Sequence, residues 1–404
     1  MIAATPTAAI VATEKAGKQS EVFRSIKLCM FLSGLSVFAQ LYLFQPMLPL
    51  MCKEFQITPS QSSWAVSATT IGMAIGLFIF SFKADALPRK QLMGTAMLVS
   101  PILTLLSAFC TQYPLLIAIN VIKGGVLAGV SAVALAYLAE ELVPSVLGLA
   151  ISLYLSGNVM GGMSGRIAAT LMSGYIGWRW AVVVIGVVSL LLGILFVYRL
   201  PASNHFTPRP VPVRDKWGQL GTILKDSFTN RVFIAAAILV GTFVSVYNYL
   251  GFRLEEPPFS LPHYVVAGIF VMYTVGVAGT MCAGKWSDKR PPASLIHYFL
   301  IAIVAGLALL LLHNLWLLVL GLGLVTFGFF GAHTLASRMV SNRAGSGKSA
   351  ATSIYWLFYY LGSTSLGSGT GVLLARGGWG WFIGSLMILM TAGGLLLLGL
   401  RTKK

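Results

Sequence analysis

The sequence predicts an all-α membrane protein, with twelve transmembrane helices forming two pseudo-symmetric six-helix bundles. Three observations predict it. Of 404 residues, 57% are hydrophobic and 10% charged, against roughly 45–50% and about 25% in soluble domains, too few charges to build a water-facing surface. The apolar residues gather into runs near the length of roughly 20 residues that crosses a bilayer. The runs also divide six and six about a basic, proline-containing stretch.

The runs fall at 26–50, 63–84, 91–111, 114–138, 145–172 and 180–199, then at 231–252, 263–284, 293–312, 314–337, 349–375 and 379–400. Between the two sets lie Pro208, Arg209, Pro210, Pro212, Arg214 and Lys216. The chain therefore reads as a tail over 1–24, a first bundle over 25–200, a linker over 201–230, and a second bundle with a short tail over 231–404. The opening residues carry Lys15 and Lys18 but no apolar core followed by a cleavage site, so they read as a cytoplasmic tail.

The formal net charge is +17. In a soluble chain that excess suggests nucleic acid; here the basic residues lie between apolar runs, and no nucleic-acid partner is expected. With the N-terminus inside, 22 Lys and Arg fall in inner loops and tails, while Lys53, Arg179, Arg253 and Arg376 fall outside. Cytoplasmic loops carry the Lys/Arg excess, so both termini are expected in the cytoplasm. Cys29, Cys52, Cys110 and Cys282 form no CxxC or Cys/His cluster, so neither a metal nor a cofactor is expected. No HExxH, GxSxG or acidic metal site is present, which argues against an enzyme. The string Ala344–Ala350 ends like a phosphate loop, but residue 342 is Asn and the string lies between two apolar runs, so no nucleotide site is expected.

The halves also match internally. The loop after the second run, SFKADALPRK, carries Asp85, Arg89 and Lys90, and the loop after the eighth, GKWSDKRPP, carries Asp288, Lys289 and Arg290. Tyr154 and Gly157 in the fifth run match Tyr359 and Gly362 in the eleventh at one offset of 205 residues. Repeated halves are the usual construction of a secondary transporter.

These features resemble the major facilitator superfamily over about residues 25–400. The strings Gly129–Pro144, Ser156–Arg166, Tyr247–Leu254 and Gly328–Ser337 are similar to the YnfM-like branch of bacterial inner-membrane efflux permeases. The resemblance implies alternating access between the halves, a small-molecule solute, the bacterial inner membrane, efflux, coupling to protons and a monomeric state. The chain departs from the superfamily in places. The loop motif G-x-x-x-D-x-x-G-R-K becomes Ser81, Asp85, Pro88, Arg89, Lys90, while the second copy keeps Gly284 and Asp288. Where many proton-coupled exporters have R-x-x-Q-G in the fourth helix, this chain has Asn120, Lys123 and Gly124.

The charged residues narrow the solute. All eleven acids, Glu14, Glu21, Glu54, Asp85, Glu140, Glu141, Asp215, Asp226, Glu255, Glu256 and Asp288, fall in tails, loops or helix ends. An intramembrane carboxylate is the common proton carrier and partner of cationic drugs; none is expected here. Lys123 lies roughly 13 Å into its run at 1.5 Å per residue. Either it faces the solute path or titrates in coupling, or it snorkels with its methylenes in lipid. Arg166 follows Gly157, Gly161, Gly162 and Gly165, whose small size permits close helix packing; it either charges the path or ties two helices together. His333, on a helix that lines the cavity in the superfamily, is a second proton-coupling candidate beside Lys123.

For solute binding the candidates are Lys123, Asn120, Gln40, Tyr42, Gln45, Tyr247, Asn248 and Tyr359, an aromatic and hydrogen-bonding set that suits a semi-polar solute. Pro46 and Pro49 weaken the first helix where a gate bends. Asp85, Arg89, Lys90, Asp288 and Arg290 are gating candidates, expected to pair across the halves. The reading is a secondary active transporter for a neutral or anionic solute. Its rivals are a proton-independent facilitator or exchanger, a multidrug/proton antiporter for lipophilic cations, and a non-transporting receptor.

Overall fold

The computed structural model describes residues 15–208, 213–343 and 348–400; the side chains of Asp85, residues 213–217, Gln219, Lys348 and Ser349 lie outside the described residues, as does most of the string at 344–350. The first half contains α1 Glu21–Phe55, α2 Pro59–Lys83, α3 Arg89–Ala108, α4 Tyr113–Glu141, α5 Pro144–Ile176 and α6 Trp178–Arg199. A short helix, Val213–Lys225, lies in the linker. The second half contains α7 Ser227–Glu255, α8 His263–Ser287, α9 Pro292–Leu310, α10 Leu315–Arg343, α11 Lys348–Gly369 and α12 Gly371–Leu396. Among the described residues the eleven spans other than α11 are each long and apolar enough to cross a membrane; α11, at 22 residues, is long enough for one crossing. The end of the bundle bearing residues 201–226 is called the linker end, and the opposite end the far end.

The outer surface is apolar: Ile122, Leu191, Ile301 and Ile388 are all more than half exposed. Such a surface suits lipid and not water. Exposed Trp180, Trp316 and Trp381 ring the far end, and Tyr198 and Trp286 the linker end, where amphipathic rings settle at a membrane interface.

Two hydrophobic cores form. One is drawn from residues 16–200 joined by Tyr360, the other from residues 220–397. The packing repeats: α1 lies on α5 as α7 lies on α11, and α2 lies on α4 as α8 lies on α10. Gly157 and Gly161 sit directly on the Phe31 and Leu35 carbonyl oxygens of α1, and Gly165 on Ala39, while Gly362 sits on the Ala237 carbonyl of α7. Gly162, expected with the packing glycines, is turned away from α1 and lies beside the Arg166 guanidinium. At 100° per residue a neighbour of Gly161 cannot face the same helix.

Two breaks shape the interior. α1 is helical over Glu21–Leu41, turns through Tyr42–Phe44, forms a 3-10 turn over Gln45–Met47, and resumes over Leu48–Phe55. Pro46 and Pro49 sit in the first turn of the 3-10 segment and of the second helix, where the missing N–H costs nothing. Helix α11 ends at Gly369, Thr370 stays in the right-handed helical region, and the stretch Gly371–Leu396 is two helices that meet at Gly378, between the expected end of the eleventh run at 375 and the expected start of the twelfth at 379; Gly378 has φ 70° and ψ −171°, a conformation open to glycine.

At the linker end Asp226 caps α7, accepting from the Thr229 backbone N–H at 3.2 Å, and receives Nε and Nη2 of Arg343 at 3.1 and 3.0 Å. The Arg343 guanidinium holds the Asp226 carboxyl down at about 2. A carboxyl depressed on folding adds stability above the ordinary carboxylate range and loses it as pH falls through the folded value. Because both side chains are about a third exposed, about 1 kcal/mol is expected. Asp226→Asn should therefore lower the Tm by a few degrees near neutral pH, with the difference from wild type shrinking between about pH 4 and pH 2. Thermal melts of the purified protein across that range check it.

Candidate functional site

The two halves meet most closely at the far end, through hydroxyl groups. Ser67 of α2 pairs with Ser368 of α11 at 2.6 Å, Thr70 with Thr364 at 2.9 Å, and the Tyr249 hydroxyl of α7 donates to Ser63 at 3.0 Å. α5 packs there against His263–Met272 of α8, and Tyr175 stacks on Tyr264 across the seam at 5.5 Å. Toward the linker end α5 makes no comparable contact with the rest of α8. Neutral hydroxyl pairs exchange for water at a net cost of only about 1 kcal/mol each, so this seam is suited to opening and reclosing.

Arg166 lies on this seam, 3% exposed. Its Nε donates to Oε1 of Gln45 at 2.6 Å, and Nη1 to the Gly162 carbonyl. Gln45 Nε2 donates to Asn248 Oδ1 at 2.7 Å, and Asn248 Nδ2 to the Gly367 carbonyl at 3.0 Å. One polar chain thus runs from α5 through the break in α1 to α7 and α11. The guanidinium carbon lies 4.2 Å from the Tyr42 ring centre, 4.9 Å from Tyr273 and 5.9 Å from Phe270. Each such contact is worth about 0.5–2 kcal/mol. Among the described residues no carboxylate pairs with Arg166, and its hydrogen bonds are made by Nε and Nη1 and not by Nη2. A buried guanidinium that offers two donors in a plane is built to receive a carboxylate or a carbonyl.

An aromatic wall continues from this centre. Tyr359 lies beside Tyr42. Tyr247 donates or accepts at Thr326 over 2.9 Å and packs on Tyr273 and Phe270. His333 is enclosed by Phe329, Tyr355, Trp356 and Tyr359, with Nδ1 2.7 Å from the Tyr355 hydroxyl. Among the described residues it has no carboxylate partner, and its contacts come from α10 and α11 of its own half.

Other expected site residues lie elsewhere. Gln40 accepts from Thr104 at 2.9 Å and donates to Ser36, so its amide is satisfied inside the first half. Asn120 donates to the Ala65 carbonyl at 3.1 Å, and Gly124 one turn on sits against the Thr69 carbonyl, so that face of α4 is committed to α2. Lys123, a third of a turn away, is wholly buried, with Nζ 4.9 Å from the Phe44 ring and no hydrogen-bond partner. The lysine does not reach lipid: it is wholly enclosed, α4 packs on α1, α2 and α3, and the ring against its ammonium is Phe44 of the same half. The break in α1 explains this, since it folds Phe44 over the lysine. A buried ammonium without a partner is destabilising. Lys123→Met should raise the Tm, by about 1–3 kcal/mol in stability, and a melt of the purified variant checks it; a lowered Tm would mean that the charge has a stabilising partner.

Among the described residues the gating candidates Arg89 and Asp288 pair within their own halves. Arg89 donates to Glu140 at the end of α4, Nη2 to Oε1 at 3.0 Å, and stacks on Phe206. Asp288 receives Arg338 of α10 at 3.2 Å. Lys90 uses its backbone N–H, which donates to Ser203 at 3.0 Å; Arg290 has no ion pair among the described residues and is exposed, and the Asp85 side chain lies outside them. The geometry is symmetric: each loop is tied to the end of the helix two places on, because α2–α4 and α8–α10 are the packed pairs.

Sequence reasoning placed Arg166 among the helix-packing residues and missed Phe270, Tyr273 and Trp356. The available signal was an arginine inside an apolar run whose neighbours supply no acid.

With this geometry in place, comparison with known proteins fixes the family. The profile of the Major Facilitator Superfamily matches residues 30–367. The uncharacterized MFS-type transporter YybF of Bacillus subtilis (strain 168) is 35% identical over 92% of each chain. The inner membrane transport protein YnfM of Escherichia coli (strain K12) is 34% identical over 93% of this chain and 89% of its own. Among solved structures, an inward-facing, occupied bacterial homologue of the human lysosomal transporter Spinster superposes with a TM-score of 0.75 at 13% identity, covering 94% of this chain and 96% of that one. A D-xylose–proton symporter gives 0.72 at 16%, covering 94% and 98%. A multi-pass membrane chain with two matching halves, a hydroxyl seam between them and these relatives belongs to the Major Facilitator Superfamily and is a secondary transporter.

Proposed function

We propose that the protein exports a small organic anion, or a neutral solute with a carbonyl group, across the bacterial inner membrane by alternating access coupled to protons. The observation that carries this reading is Arg166: a buried cation on the seam, caged by Tyr42 and Tyr273, with no carboxylate partner among the described residues and with hydrogen bonds from Nε and Nη1 but not from Nη2. An exporter of lipophilic cations needs the opposite charge at that place. Gln45, Asn248, Tyr247 and Tyr359 complete the polar and aromatic lining. The printed name of YnfM as an inner membrane transport protein supports the membrane. The 22-to-4 distribution of Lys and Arg supports a cytoplasmic linker end, and so a far end that faces outward.

The test is a solute panel against the purified protein. A bound ligand at a hundred times its Kd adds about 2.7 kcal/mol to apparent stability. Organic carboxylates should raise the Tm, their amides less, and lipophilic cations not at all. Stabilisation by the cations alone would overturn the reading.

A further inference from the structure

A second cluster of titratable groups lies on the seam, away from Arg166. His263 opens α8 at the far end, and its Nδ1 is 2.6 Å from Oε1 of Glu255, the last residue of α7. Its Nε2 is 3.0 Å from Oγ of Ser173, on α5 of the other half. Ser173 in turn donates its single hydroxyl proton to the Thr170 carbonyl at 3.1 Å. The His263 and Glu255 side chains are 12% and 16% exposed. Nδ1 donates to Glu255, since a carboxylate only accepts. The contact between Nε2 and Ser173 takes either proton count: a protonated Nε2 donates to the Ser173 oxygen while the hydroxyl keeps Thr170, and a neutral ring accepts from the hydroxyl instead. Only the first keeps both contacts, with an imidazolium held between Glu255 and the opposite half. With a neutral ring the Ser173 hydroxyl turns to donate to Nε2, giving up Thr170, and the seam loses a charge-assisted bond.

We propose that His263 is the site that takes up the coupling proton from the far side, and that the bound proton closes that end by tying α8 to Ser173 of α5. In this step a proton passes from far-side water to Nε2, Nδ1–H stays on Glu255, and the Ser173 hydroxyl rotates from donor to acceptor. The other titratable or charged groups on the elements packed there are Arg253 of α7, Glu256 of the following loop, Tyr264 and Tyr273 of α8, and Tyr175 and Arg166 of α5. Arg253 is turned onto Phe259 and the Pro257 carbonyl, Tyr175 and Tyr264 stack on each other, and Arg166 and Tyr273 belong to the inner cage. None of these is seated to replace the histidine. His333, the other proton-coupling candidate, makes its hydrogen bond among the described residues to Tyr355 of its own half and not at the far end of the seam. The inference rests on the alternating-access reading.

The experiment measures the width of the far end directly. Spin labels are placed at Trp180→Cys and Trp316→Cys, 64% and 80% exposed on opposite halves, in full-length protein lacking its four native cysteines, and distances are read in lipid nanodiscs. At about pH 5.5 one short distance should dominate, and at about pH 8 a longer one should join it. In His263→Gln, which keeps a neutral hydrogen-bonding side chain, the mixture should be the same at both pH values. Glu255→Gln, a second variant should the first not fold, should move the midpoint down by about one pH unit, a tenfold change in proton concentration. Two populations indifferent to pH, an unchanged response in His263→Gln, or an unmoved midpoint in Glu255→Gln would overturn the proton site alone. One fixed distance under every condition would overturn alternating access as well.

Discussion

Arg166→Gln should abolish transport while the protein still folds. The substitution keeps a planar amide that can reach Gln45, but removes the charge and the paired donors. Loss of one member of a buried, charge-assisted contact costs about 2–5 kcal/mol, so solute affinity should fall at least about a hundredfold. Arg166→Lys keeps the charge and loses the fork. A lysine offers one point donor and does not stack on Tyr42 and Tyr273 as a guanidinium does, so it should restore binding only in part. The measurement is solute binding to purified, monodisperse variants, with Asn248→Ala as companion. That variant breaks the chain Gln45–Asn248–Gly367 between the halves and leaves the guanidinium in place. A weaker far-end seam and a partial loss of affinity are expected for it, since Asn248 also belongs to the lining, whereas Arg166→Gln should lose affinity outright. Full solute affinity in Arg166→Gln would remove the case for a carboxylate or carbonyl at that site.

The contrast between Arg166 and Lys123 shows what was legible in the sequence. The twelve spans, the break at Pro46 and Pro49 and the family were all readable, because hydropathy, charge distribution and proline chemistry are local. That both cations lie inside the chain and lack acidic partners was readable too. Which of them meets the other half was not. Rotation about a helix axis decides that, and a single turn holds both answers: Asn120 and Gly124 face α2 while Lys123 faces the folded end of α1. The break in α1 moves Tyr42 and Gln45 onto the seam and leaves Gln40, only a few residues earlier, inside the first half. Periodicity cannot be carried through such a break. The partners of the loop charges were hidden for a similar reason. Arg89 and Asp288 were expected to pair across the halves, whereas Glu140 and Arg338, distant in sequence, reach them by tertiary packing within each half.

The largest effect on folding should come from Gly161. In an exposed helix position, alanine is favoured over glycine by about 1 kcal/mol, and Gly148 is such a position: exposed on α5, with open space where a side chain would go. Gly148→Ala should therefore hold or raise the Tm. At Gly161 the same methyl group would meet the Leu35 carbonyl and its neighbouring backbone. Backbone cannot rotate aside as a side chain can, so α1 and α5 must separate along their length. Gly157 on Phe31 and Gly165 on Ala39 would lose their contacts with it. Overpacking of this kind costs about 1–3 kcal/mol and more when it strikes main chain, which outweighs the propensity gain. Gly161→Ala should lower the Tm by several degrees, and Gly161→Leu should leave no folded protein in the membrane fraction. The pseudo-symmetry extends the argument to Gly362 on Ala237 of α7, where leucine should be as damaging. Fluorescence-detected size exclusion of the variants decides the matter. A monodisperse Gly161→Leu peak would mean that the α1–α5 contact is looser than its carbonyl-on-glycine packing requires.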